Sequence, residues 1–254
     1  MIKKHNIDLI PVKEKYNLDV AMKKIKNDID MAIVILFMGS VYCQIKIENN
    51  DPKLLVTQAW NIQWDLVLLS ALFDNDIFCN IQSNKRYESI DDNDCFLNIT
   101  NYHLKGLNKN IYNINESDAI WIEANIKNAR KLMDNDRFRN AVHSLASFRW
   151  HPIKRAQMAL IWAGIEGLFE VESEIAFKLS LNIANFLKMN KEEKKNIFLK
   201  IKKMYGFRSA AVHGNKIKNS DIDIVKESAT LLKEIILKCI EENELPNKDK
   251  LIFN

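Results

Sequence analysis

Two hundred and fifty-four residues, 47% of them hydrophobic, are enough for one large or two modest domains with real apolar cores, and two is the better expectation at this length. Six glycines and four prolines are too few for a turn-rich sheet sandwich and favour long helices. A net charge of +4 and a pI near 8.7 make the chain mildly basic, which is compatible with a nucleic-acid partner. Cys43, Cys79, Cys95 and Cys239 are scattered without a Cys-x-x-Cys pair, so neither a disulfide framework nor a zinc site is expected, and a reducing compartment is. Met1-Ile-Lys-Lys-His has no apolar run behind it of the kind that opens a secretory signal. The longest apolar run, Met31 to Met38, is too short to cross a bilayer. Together these features predict a soluble, cytoplasmic protein with no membrane association.

Patterning changes near residue 115. Before it, short β-type runs dominate. Ala32-Ile-Val-Ile-Leu-Phe is predicted as a buried strand and Val41-Tyr-Cys-Gln-Ile-Lys-Ile as a second, alternating one. Asp51-Pro52 opens a helix to about Leu72, with Leu55, Ala59, Ile62, Leu66 and Leu69 at helical spacing. Ile77 to Gln82 and Cys95 to Thr100 read as short strands around a polar loop, Ser83 to Asp94. This predicts an α+β module over residues 1–115 whose role the residues do not reveal.

From Glu116 onward helical periodicity takes over. Ser117 is expected to cap a helix to Met133; a second runs from Arg137 to Phe148; a third starts at Pro152, where a missing N–H costs nothing, and ends at Phe169. A fourth covers Glu174 to Lys188. A fifth runs from Asn190 to a glycine stop at Gly214. Ser220 and Asp223 match a capping box for a last helix ending near Glu242. Short connections between long helices predict an antiparallel bundle over 116–254. The fold class is thus α+β, a mixed module followed by an all-α bundle.

Chemistry concentrates in Tyr205-Gly-Phe-Arg-Ser-Ala-Ala-Val-His-Gly214. Ile197, Ile201 and Met204 form an apolar stripe whose spacing continues to Arg208. A guanidinium on that face requires a partner, because an unpaired buried charge is costly. Glu166 supplies one: it lies on the same side of its helix as Trp162, Ile165 and Phe169. The pair reads either as an internal ion pair or as part of a functional site. His213, in the last turn before Gly214, is favoured as imidazolium by about 0.3–1 kcal/mol at a helix C-terminus, which suits a general acid and equally a simple C-cap. Ser209 and Asn215 flank the pair, as phosphate ligands or as ordinary helix-end residues. Seven lysines against two glutamates lie between Lys188 and Lys203. Lys202, Lys203 and the following Lys216 form either a rim for an RNA backbone or a solvated face. Phosphate-cradling glycine loops and a Gly-x-Ser-x-Gly elbow are absent, and His103, His143 and His151 have no metal-ligand spacing. No metal or cofactor is expected.

Ile161-Trp-Ala-Gly-Ile-Glu-Gly-Leu-Phe169, then Glu174 to Leu187, then Ile197-Phe-Leu-Lys-Ile-Lys-Lys-Met-Tyr-Gly-Phe-Arg-Ser-Ala-Ala-Val-His-Gly214, resemble in order and spacing the Apea-like HEPN family over roughly Glu116 to Glu242. The resemblance implies a helical bundle and a metal-independent endoribonuclease. It also implies a homodimer with two Arg-x4-His motifs facing each other, acting in bacterial phage defence or as a toxin. A regulatory protein or a phage-derived trigger is a further candidate partner, which the sequence does not identify. It makes Arg208 and His213 the catalytic pair and matches Glu166 to the family's acidic position. Many catalytic members carry Asn, Asp or His after the motif arginine, where this chain has Ser209. Some members only bind RNA, nucleotides or a partner protein, so a non-catalytic module is the alternative.

Overall fold

A computed structural model describes residues 7–12, 18–25, 28–73, 75, 77, 79–90, 93–100, 113–171, 173–187, 190–212, 222–247 and 250–251. The class is α+β and mostly helical, with two small antiparallel sheets among the described residues. Two units are distinguished: Met1–Leu66 with Ile77–Lys109, and Val67–Asp76 with Asn110–Asn254.

In the first unit β1 (Ile7–Pro11) pairs antiparallel with β2 (Cys43–Ile47), Leu9 opposite Ile45. Between them lie α1 (Leu18–Lys23) and α2 (Asp28–Phe37). The long α3 (Pro52–Leu72) follows, counted with this unit as far as Leu66, and β3 (Ile81–Ser83) pairs with β4 (Leu97–Ile99). Ala21, Ile33, Val34, Met38, Tyr87, Ile90, Cys95 and Ile99 form the core of this unit. The Tyr87 hydroxyl donates to the Met38 carbonyl at 3.0 Å, so the ring's polar end is satisfied inside.

Here the structure corrects the expected strand at Ala32 to Phe37, which is the end of a helix. A short apolar run does not distinguish strand from buried helix. Asp28 and Asp30 in the first turn suit a helix N-terminus, and the buried residues Ile33, Val34 and Met38 recur at helical, not alternating, spacing. The β1 strand and α1 were not anticipated, and β3 and β4 are shorter than the runs that predicted them.

The second unit contains α4 (Glu116–Met133), α5 (Asp136–Ser147), α6 (Lys154–Phe169), α7 (Ile175–Leu187), α8 (Lys191–Val212) and α9 (Ile222–Glu242). The cap of α4 is Asn115, not Ser117. Its side chain accepts from the Asp118 amide while Asp118 accepts from the Asn115 amide, a reciprocal capping box. Helix α6 starts at Lys154, two residues after Pro152. The expected cap Ser220 lies outside the described residues.

Helix α6 is the hub of this unit, packing on α5, α7, α8 and α9. Trp162, Ile161, Ile165 and Leu168 are fully enclosed, and the Trp162 indole N–H donates to the buried Ser228 hydroxyl of α9 at 3.1 Å. Close approach requires Gly164. A Cβ there would meet Ser144 Cβ at 3.0 Å, Leu232 Cδ2 at 3.2 Å and the Ala141 Cα at 3.3 Å. At the C-terminal end of α6, Arg137 donates to the Gly167 carbonyl at 3.1 Å and to that of Leu168, and pairs with Glu170 at 2.9 Å. These carbonyls have no intrahelical partner. Glu170 itself holds a left-handed conformation, φ 48°.

Gly164→Ala is expected to lower stability by about 1–3 kcal/mol through overpacking. Gly206→Ala, on an exposed stretch of α8 where an added Cβ meets nothing within 4 Å, should raise it by about 0.5–1 kcal/mol. Urea denaturation of the two variants checks both signs.

Candidate functional site

Helices α6 and α8 bring the two expected charges together. An Arg208 Nη2 hydrogen donates to Glu166 Oε2 at 2.9 Å. Stripe spacing alone led to this pairing, and the reason is visible in the packing. Ile201 and Met204 are buried against the bundle, and the next positions on that face carry Arg208 to the side of α6 that presents Glu166. Burial is less complete than the stripe implied: the Arg208 and Glu166 side chains remain 21% and 24% exposed. The guanidinium is thus partly open to solvent.

The pair is monodentate. Arg208 Nε and Glu166 Oε1 are buried atoms without a hydrogen-bond partner among the described residues. A bidentate fork would engage a second nitrogen with the second oxygen, so half of the guanidinium's bonding edge is not committed to the carboxylate. Tyr205 completes the cluster. The Arg208 guanidinium carbon lies 5.5 Å from the centre of its ring, within cation–π range. The same ring stands edge-on to Trp162, centroids 5.4 Å apart at 82°. Trp162, Glu166, Tyr205 and Arg208 are therefore two i, i+3 or i, i+4 pairs on facing helices, anchored through Trp162 to Ser228.

Burial pushes the Glu166 carboxyl above its ordinary value, against the Arg208 charge and neighbouring donors that pull it down. Burial raises the Tyr205 phenol as well, with the Glu166 charge adding to it. The carboxylate is thus in the site where loss of water outweighs attraction.

Of the other expected site residues, Ser209 is half-buried at the edge of the cluster. Lys202 and Lys203 are exposed. At about 100° per residue, Lys202 falls on the same side of α8 as Ser209, seven residues away, whereas Lys203 is turned about 140° from Arg208. His213, Asn215 and Lys216 lie outside the described residues; α8 is described to Val212. Tyr205 was not singled out from the sequence, although its i, i+3 relation to Arg208 was a usable signal. Where the start of α6 meets the end of α8, Ile153, Arg155, Ala156, Ala159, Ala211 and Val212 line an open groove. Ile153 and Val212 are exposed there.

Among the described residues no group of three or more His, Cys, Asp or Glu is placed to hold a metal ion, and no helix is long and apolar enough to cross a membrane. Comparison with protein-family models, with curated proteins and with solved structures finds no match to this chain.

Glu166→Gln tests the electrostatics. Because the folded carboxyl sits above its ordinary value of 4.5, the folded state holds this proton more tightly than the unfolded chain. Its contribution to stability is full below that value and is lost as pH rises through the folded one. The Gln variant should lose less stability than wild type between acid and neutral pH, as read by thermal melts across that range. Glu166→Ala should cost about 1–3 kcal/mol at neutral pH by leaving Arg208 unpaired.

Proposed function

We propose that this protein is a metal-independent endoribonuclease of the HEPN type, acting in the cytoplasm in anti-phage defence or as a toxin, with α4–α9 as its HEPN bundle. The observation that carries the proposal is the partly exposed, monodentate Arg208–Glu166 pair, with Arg208 five residues before His213 on the chain. A cation tied to its carboxylate through one nitrogen and still about one-fifth exposed suits a group that must meet a phosphate whose charge grows in the transition state.

In this reading the ribose 2′-hydroxyl attacks the adjacent phosphorus. The 2′-oxygen–phosphorus bond forms and the bond to the 5′-oxygen breaks. His213 moves the proton, taking it from the 2′-hydroxyl or delivering it to the departing 5′-oxygen. Arg208 stabilises the phosphorane oxygens, and Glu166 and Tyr205 hold the guanidinium in place. The products are a 2′,3′-cyclic phosphate and a 5′-hydroxyl. DNA lacks the attacking group and is not cut. Ser209 and Asn215, with Lys202 and Lys216, are the proposed backbone ligands; Lys203, turned about 140° from Arg208, is left out of the set.

Incubating the full chain with total RNA in EDTA, followed by end-group analysis, tests this directly. His213→Ala should slow cleavage by about 10²–10⁴-fold and Arg208→Ala by about 10²–10³-fold. Ends carrying a 3′-hydroxyl, equal cutting of DNA, or activity unchanged in both variants would overturn it. The second reading, a non-catalytic module that binds RNA, nucleotides or a partner protein, is favoured by one feature: the ion pair already serves as a clamp between α6 and α8. It predicts RNA binding without products.

A homodimer accompanies the first reading, since a two-fold axis doubles every group of the site. The exposed Val212, four residues beyond Arg208 on α8, and Ile153 across the groove from it offer apolar surface for it. Val212→Glu should convert a dimer at micromolar concentration into a monomer in sedimentation, with loss of cleavage; a wild-type monomer of full activity would refute the dimer.

A further inference from the structure

One side of α8 carries a pattern that the Arg208 cluster does not use. Lys191, Lys195, Phe198, Lys202 and Ser209 follow one another at i, i+4, i+7, i+11 and i+18, so they share one strip of the helix surface. The strip is about 27 Å long at 1.5 Å per residue. All three lysines are exposed, and none is paired with a carboxylate among the described residues. Alongside, α7 contributes Phe177, which is 52% exposed. Its ring stands edge-on to Phe198, centroids 5.6 Å apart at 76°.

The half-exposed ring of Phe177 thus lies against Phe198, alongside the row of cations that Phe198 belongs to. The carboxylates of the same helix, Glu192 and Glu193, are rotated off the strip by about 60° or more. Glu174 of the α7 side is engaged by Lys178 at 3.2 Å. Alternating cations and a ring face are what a single nucleic-acid strand requires: phosphates for the lysines and an unstacked base for the ring. A duplex hides its base faces and has no use for Phe177. An acidic peptide matches the lysines but gains little from the ring.

We infer that the α7–α8 ridge, with Lys191, Lys195, Lys202, Phe198 and Phe177, is a binding track for single-stranded RNA that leads along α8 to Ser209 and the Arg208–Glu166 pair. The inference rests on the RNA-cleaving reading for the identity of the strand and adds the surface by which the strand is held. Lys203 lies off the track.

The test is fluorescence anisotropy with the full chain and a fluorescein-labelled 2′-O-methyl oligouridylate of about a dozen nucleotides, which cannot be cut by its own 2′-oxygen. Lys195→Gln with Lys202→Gln should flatten the slope of log affinity against log salt by about 1.4, or 0.7 for each phosphate that is no longer neutralised. Phe177→Ala should weaken binding by about 5- to 150-fold. Phe177→Leu, which keeps apolar packing and removes the ring face, should weaken it comparably, and thermal melts verify folding. Lys127→Gln, on α4, should bind as wild type. Ridge variants that bind as wild type, or equal affinity for a duplex, or full displacement by polyglutamate irrespective of Phe177, would overturn the track. Cleavage of unmodified RNA, run in parallel, separates the two ideas. Cleavage by wild type with unaffected ridge variants removes the track and leaves the ribonuclease standing. Weakened ridge variants without any cleavage by wild type support the track and remove the ribonuclease.

Discussion

At Gly164 the side of α6 comes so near to α5 and α9 that a methyl group would have to occupy space already held by Ser144, Leu232 and the Ala141 backbone. Close approach of this kind is a packing constraint with little slack, since protein interiors are nearly as dense as organic crystals. Much else in the helical unit follows from it. With α6 drawn inward, Trp162 is enclosed and its indole N–H meets Ser228. Glu166, one turn further along, is left at the edge of the core rather than within it. Arg137 then closes the end of the helix by binding carbonyls that would otherwise be unsatisfied.

The Arg208–Glu166 contact is best understood as a boundary interaction. A pair sealed in the interior would face a desolvation cost that attraction seldom offsets, and a pair on the open surface would contribute little. At about a fifth to a quarter exposure, water is reduced but not excluded. The raised Glu166 carboxyl records that balance, burial prevailing over the neighbouring cation. Tyr205 limits the guanidinium from a different direction, with its ring face rather than a hydrogen bond. Two constraints of different type define the orientation of a planar group better than one, and they leave part of its donor edge uncommitted.

The helices of the second unit were largely legible because long periodic stretches carry redundant information. An error of one or two residues at an end, as at Ser117 or Pro152, leaves the face assignment of the whole helix unchanged. The same redundancy exposed the Arg208–Glu166 contact, since each residue interrupts an otherwise apolar stripe. The run at Ala32 to Phe37 offered no such redundancy. Six apolar residues in a row have no polar side to report a period, so a short run of this kind reads as a buried strand where tertiary packing selects a helix. Tyr205 and Ser228 were illegible for another reason. Their roles arise from which helices become neighbours, Tyr205 meeting Trp162 and Trp162 meeting Ser228 across three separate elements. Arg137 belongs with them: nothing local to α5 tells that its guanidinium will cap α6.

Helix α8 carries Lys191, Lys194, Lys195, Lys200, Lys202 and Lys203 against Glu192 and Glu193. Several of these lysines are three or four residues apart, where like charges repel. Packing of Ile201 and Met204 into the core holds the helix together in spite of that repulsion. Dissolved ions screen it, so added salt relaxes an internal electrostatic load on this helix. The same ions compete with any polyanion for the lysines. A single variable, ionic strength, thus acts on the helix in two ways: it eases the repulsion among these lysines and would weaken the hold of any polyanion on them. A bound polyanion, by contrast, would neutralise the helix and occupy it at once, so that occupancy and rigidity rise together.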